Sequence, residues 1–133
     1  MANSAESVAH AFVRAINRQD AQAVAEWMTE EHRFIDSMGT VVGGREAMRA
    51  GWRAYFRMVP DYSIAVEETC CEGPVVILLG VAQGTYAPDG KLSPENRWQT
   101  PAAFRALIED GKVAEWRVYA DNEPMRQKMA RRQ

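Results

Sequence analysis

Arg33-Phe34-Ile35-Asp36-Ser37-Met38, a glycine-bearing link at residues 39–44 and an aromatic-rich amphipathic helix at Arg45–Met58 carry the reading that decides the fold. A short strand gives way to a turn, and the turn feeds a helix. Asp36 sits at that junction, after Phe34 and Ile35 and before Ser37, Met38 and Gly39. Apolar neighbours desolvate a carboxylate, disfavour its charged form and bring it toward the range useful for proton transfer, which is how a general base is made. The same position also suits a turn aspartate, whose side chain bonds to backbone two residues on; taken alone, this stretch favours the turn role. The rest of the chain has to decide between them.

A chain of 133 residues is long enough for one domain, spanning 1–133, with a substantial core. A formal net charge of -2 gives no overall drive toward nucleic acid or an anionic membrane. The first residues, Met1-Ala2-Asn3-Ser4-Ala5-Glu6, do not form a basic region followed by an apolar run, and no uninterrupted apolar stretch is long enough to cross a bilayer. Cys70 and Cys71 are adjacent and would point to opposite faces of a strand, so both are expected to be reduced thiols in a cytoplasmic protein. With His10 and His32 as the only histidines, no familiar zinc spacing occurs, and neither metal nor cofactor is expected.

Asn3 with Glu6 predicts a capped helix through Arg18, with Val8, Phe12, Ala15 and Ile16 on one face. Asp20 predicts the cap of a second, shorter helix that uses Val24, Trp27 and Met28. A strand at 32–38 then places His32, Phe34 and Asp36 on a common face. Met48, Trp52, Tyr55, Phe56 and Val59 form the inward stripe of the third helix, which Pro60 ends. Strands are predicted at 61–72, at 75–86 as a central apolar run, at Arg97–Glu109, and at Lys112–Ala120 after the hairpin signal Asp110-Gly111. The polar loop between the second and third of these is the expected mouth of a site, and a basic helix at 125–132 closes the chain.

These elements make an α+β domain in which helices pack on one face of a curved antiparallel sheet and leave a conical cavity. Trp27, Trp52, Trp98 and Trp116 exceed what such a core needs, and a buried indole N–H prefers a partner, so the last three suit a cavity wall that also holds polar groups. Trp27 reads as plain core. Arg45, Arg49, Arg53 and Arg57 recur every four residues and read as a solvated stripe paired with acids such as Glu46 and Asp61. Gly43-Gly44 lacks the fuller nucleotide-loop pattern and reads as a turn.

The order of these elements, together with Phe34-Ile35-Asp36-Ser37-Met38-Gly39, Gly43-Gly44-Arg45-Glu46-Ala47-Met48, Val59-Pro60-Asp61-Tyr62 and Asp110-Gly111-Lys112-Val113-Ala114-Glu115-Trp116, resembles the nuclear transport factor 2-like superfamily. The branch it is most similar to holds the SnoaL-like polyketide cyclases and the ketosteroid isomerases. The resemblance implies a cone-shaped α+β barrel of cystatin-like type and a homodimer formed through the outer sheet face, for which Ile64 and Val66 would be exposed apolar contacts. Because this scaffold hosts isomerases, cyclases, dehydratases, epoxide hydrolases and non-catalytic binders, it constrains activity less than fold.

Asp36 matches the aspartate base of the isomerases. Their oxyanion hole pairs a tyrosine with a neutral aspartic acid, and those places fall here on Phe12 and Ala102, neither of which can donate from its side chain. Loss of such donors costs about 3 kcal/mol each, so authentic steroid isomerase chemistry would need substitutes. The second acid of the epoxide hydrolases falls on Val118. Trp98, Thr100, Trp116, Tyr55 and His32 are the candidate donors, His32 also as a group orienting the base, while Trp52, Phe56 and Phe104 would shape the pocket. The expectation is a cofactor-independent isomerase or cyclase acting on a small hydrophobic, cyclic carbonyl compound. The alternative is a non-catalytic small-molecule-binding or protein-interaction module on the same fold.

Overall fold

Side-chain caps and glycine turns set the ends of most elements in the computed structural model, which describes residues 4–130. Helix α1 (Ala5–Asn17) is capped by Ser4, whose hydroxyl accepts the Ser7 N–H at 3.0 Å; Asn3, the expected cap, lies outside the described residues. Asp20 caps α2 (Ala21–Glu26) by accepting the Ala23 N–H, as its sequence position predicts. Strand β1 (Met28–Ile35) starts four residues earlier than expected and ends one residue before Asp36. Trp27 is the C-cap of α2, and Met28 already belongs to the sheet. The short strand β2 (Val41–Gly43) pairs back onto β1 within what reads as a plain link. Helix α3 (Arg45–Met58) has the expected bounds.

Strands β3 (Ser63–Glu72), β4 (Val75–Thr85), β5 (Arg97–Glu109) and β6 (Lys112–Ala120) follow, with a 3-10 turn at Pro94–Asn96, and α4 (Glu123–Ala130) ends the described chain. Helix α4 begins two residues before the expected Met125, because Pro124 falls in its first turn, where its missing N–H costs no helical bond; the expected end at Arg132 lies outside the described residues.

The six strands form one unclosed sheet in the order β2-β1-β6-β5-β4-β3. Every pairing is antiparallel except β1 with β6, which is parallel, so the expected all-antiparallel sheet is a mixed one. Phe34 lies opposite Trp116 across that parallel pair, and Phe104 opposite Val118 across β5 and β6. At Gly80 of β4 a Cβ would lie 1.9 Å from the Ala65 carbonyl oxygen, next to the register shift between Val66 and Glu68 of β3, the kind of irregularity that bends a strand pair.

The helices cover the concave face. Phe12 and Ile16 of α1 and Met48, Trp52 and Phe56 of α3 are buried against Val76, Leu78, Phe104, Ala106 and Trp116 of the sheet. Asn17 fixes α1 to β3, donating to the Ile64 carbonyl at 3.0 Å and accepting the Ile64 N–H at 2.8 Å. Ile64 is thus a core residue, contrary to its expected place on the exposed face, and Val66 is half-buried against the same core. The convex face carries Val75, Ile77, Leu79 and Val81 of β4 beside Ala103 and Leu107 of β5, all partly exposed. Glu115 of β6 is buried there between Arg33 and Arg105, at 2.6 and 2.8 Å, and ties three strands together. Arg49 pairs with Glu46 at 2.8 Å, but Asp61 bonds the Thr85 N–H and hydroxyl rather than the α3 stripe. No helix among the described residues is long and apolar enough to cross a membrane.

Candidate functional site

Between α3, α4 and the concave side of β1, β5 and β6 lies a cavity of about 840 Å³. Strand alternation sends Trp98, Thr100 and Phe104 of β5 and Trp116 and Val118 of β6 to its wall, and helical periodicity adds Trp52 and Tyr55 of α3. These seven expected residues are brought together. Four others are not. Ala102 is buried but does not border the space, and Phe56 borders a separate groove with Arg53 and Arg57. Phe12 is fully buried behind Trp116, with ring centroids 4.9 Å apart, and His32 is fully buried with its ring 6.1 Å from that of Phe12.

The bonding of His32 accounts for its distance from the cavity. Its Nδ1 lies 2.7 Å from the Val113 carbonyl; a carbonyl only accepts, so Nδ1 carries the proton, and Nε2 is a buried atom with no partner. Burial pushes the imidazole pKa down, against the opposing pull of the Val113 carbonyl and the Glu115 charge. A neutral ring that joins β1 to β6 away from the cavity wall is a structural group, which corrects its expected role as acid or orienting residue.

Asp36 does border the cavity, at the mouth with Ser37, Met38, Asp121, Asn122 and Glu123. Its Oδ1 accepts the N–H groups of Met38 and Thr40, each at 2.9 Å, so the carboxylate shapes the turn that leads into β2. Both bonds fall on Oδ1, and Oδ2 accepts none from the described residues.

The wall is mostly aromatic. Trp52 contacts Phe34, Tyr55 and Tyr62 edge-on or tilted, Tyr62 also contacts Trp98, and Trp116 stacks on Phe104 at 5.1 Å. The indole N–H groups of Trp52, Trp98 and Trp116 are buried without an acceptor. The Tyr55 hydroxyl reaches only the Met125 sulfur at 3.7 Å, and that of Thr100 only the Pro101 carbonyl at 3.4 Å. Burial pushes the pKa of both Tyr55 and Tyr62 well above the usual phenol value, with each other's proximity adding to it for Tyr55, so both remain neutral donors at ordinary pH.

Contributions from Phe34, Met48 and Tyr62, and from Met125 and Met129 of α4, were not among the expected site residues. Phe34 and Met48 lay on the predicted inward faces and could have been found; the methionines could not, because nothing local shows where a C-terminal helix docks. Among the described residues no group of three or more His, Cys, Asp or Glu side chains is placed to hold a metal ion.

Residues 9–116 match the model of the SnoaL-like domain family. The chain belongs to the SnoaL-like family. Its fold is shared by a candidate SnoaL-like polyketide cyclase from Shewanella denitrificans, at a TM-score of 0.80 and 16% identity over 96% of this chain and 97% of that one. The candidate polyketide cyclase IdmH of Streptomyces antibioticus superposes at a TM-score of 0.78 with 18% identity, over 96% and 99% of the two chains. A protein of ketosteroid isomerase-like fold from Catenulispora acidiphila, in complex with trimethylamine, gives a TM-score of 0.78 with 14% identity over 92% of each chain. No curated protein matches the chain.

Proposed function

We propose that this SnoaL-like protein is a cofactor-independent isomerase or cyclase that moves a proton at the carbon beside a carbonyl of a small hydrophobic, cyclic compound. The observation that carries the reading is a cavity with a mostly aromatic wall and a carboxylate, Asp36, at its mouth. An apolar site strengthens electrostatic interactions with developing charge, and the lining residues Tyr55 and Thr100 carry hydroxyl donors of the kind that stabilise an enolate. In this reading Asp36 Oδ2 takes the proton while the two amides hold Oδ1 in place. Isomerisation and aldol cyclisation share that step. Acceleration of deuterium exchange at the α-carbons of cyclic and polycyclic ketones, dependent on Asp36, tests it.

The hydrogen bonding of Asp36 also favours a second reading, in which the cavity binds without chemistry and Asp36 serves only its turn. Saturable binding without exchange would select it. The working form is proposed to be a homodimer through the convex sheet face, where Ile77, Leu79 and Val81 lie beside the half-exposed Tyr119 and the charges of Arg105 and Arg117. A cytoplasmic setting is proposed from Cys70 and Cys71, both exposed free thiols.

A further inference from the structure

Charge divides the convex face of the sheet into two sides. The pairing registers put Glu68 and Glu72 of β3 on this face beside Leu79 and Val75 of β4, and Arg105 of β5 beside Arg117 of β6. An acidic edge and a basic side are thus separated by the apolar residues of β4. Glu115 is taken up by Arg33 and Arg105, at 2.6 and 2.8 Å, which leaves Arg117 with no acid among the described residues. Its guanidinium lies over the Tyr119 ring at 5.0 Å from the centroid, and its Nε is buried with no hydrogen-bond partner. A buried donor left without an acceptor calls for an explanation, and a charged one most of all. Glu68 and Glu72 are exposed and form no ion pair among the described residues.

Two copies that meet through this face are related by a twofold axis lying between their sheets. Sheets packed face to face keep their strand directions within about 30° of each other, so the axis runs either across the strands or along them. An axis across the strands lays each strand over its own counterpart, acid on acid and arginine on arginine. An axis along the strands, between β4 and β5, exchanges left and right and lays β3 of one copy over β6 of the other. Only the second arrangement is self-complementary. Its register fits as well: Cys70, midway between the two glutamates on this face, is level with Ile77, Arg105 and Arg117 across the sheet, so Arg117 meets the gap between the carboxylates.

We propose that a second copy of this chain docks on the convex face with the twofold axis along the strands, Arg117 of each copy seated between Glu68 and Glu72 of the other. The proposal rests on the reading of this face as the dimer interface, and adds to it the strand that each copy meets and the charges that select it.

Sedimentation equilibrium of the full chain at low and high salt tests it. The wild-type dimer is expected to weaken as salt rises, because the contacts across it are attractive. Arg117→Glu, and separately Glu68→Arg combined with Glu72→Arg, are each expected to weaken self-association by at least about tenfold. An equimolar mixture of these two variant chains is expected to recover the dimer, because the mixed pair faces opposite charges at both of its contacts. A wild-type monomer overturns the dimer reading and this proposal with it. A wild-type dimer that strengthens with salt, that tolerates both charge reversals, or whose folded variants stay monomeric when mixed overturns the axis and leaves the convex-face dimer standing. Should the thermal midpoint show that Arg117→Glu is unfolded, the double glutamate variant, altered only at exposed positions, decides by itself.

Discussion

Asp36 and Thr40 bond reciprocally: the Asp36 N–H donates to the Thr40 carbonyl at 3.0 Å, and the Thr40 N–H donates to Asp36 Oδ1 at 2.9 Å. The proposed base is therefore also the keystone of the turn between β1 and β2. Asp36→Asn keeps an oxygen acceptor and should leave the thermal midpoint within a few degrees of wild type. Asp36→Ala should cost about 1 kcal/mol by urea unfolding, the ordinary worth of the turn bonds it removes. Equal stability of the two variants would mean that the turn does not depend on the side chain.

Gly80 is required by space rather than by an unusual φ angle. Gly80→Ala would drive a methyl group into the Ala65 carbonyl, which is backbone and has little room to yield, and is expected to cost roughly 3 kcal/mol. Gly43→Ala, where nothing lies within 4 Å, is the matched control and should be near neutral. Chemical unfolding of the pair measures the contrast; similar stabilities would show that the bend in β4 relaxes without penalty.

His32 makes stability depend on pH. Its folded pKa is held by burial below the ordinary value of about 6.5, so the unfolded chain binds the proton first as pH falls. The contribution is fully present above that ordinary value and is lost as pH drops through it toward the folded pKa. Wild type should lose stability as pH falls below about 6.5, and His32→Gln should show a shallower slope over the same range. Equal slopes would remove His32 as the cause.

The convex face makes a prediction about assembly. Leu79 lies on it midway along β4, opposite Ala103 of β5, and Leu79→Asp should convert the proposed dimer to a monomer in analytical ultracentrifugation. A wild-type protein that sediments as a monomer throughout would contradict the dimer.

Local signals made much of this fold legible. Asp20 caps α2, the amphipathic stripe gives α3 its bounds, and Asp110-Gly111, both at positive φ, turns β5 into β6 as a hairpin signal should. The misread points are those decided by distant packing. Met28 fits a helical period with Val24, yet it joins β1 because that strand pairs with β6, more than eighty residues away. Ile64 alternates as any strand residue does, and only its packing in the core under the helices shows which face is inward. Alternation correctly turned Ala102 and His32 inward, but it carries no information on depth, so residues behind the wall could not be separated from residues on it. The candidate donors on β5 and β6 were legible because each strand shows one face to the cavity. The closure by α4 was not.

The most direct test of the central claim is deuterium exchange at the α-carbons of a panel of cyclic and polycyclic ketones, followed by mass spectrometry with wild type and Asp36→Asn. The account predicts exchange accelerated by the wild type and reduced to background in the variant, whose amide retains an acceptor for the turn but cannot take the proton. Exchange that is equally fast in both proteins would contradict it and take Asp36 out of the chemistry.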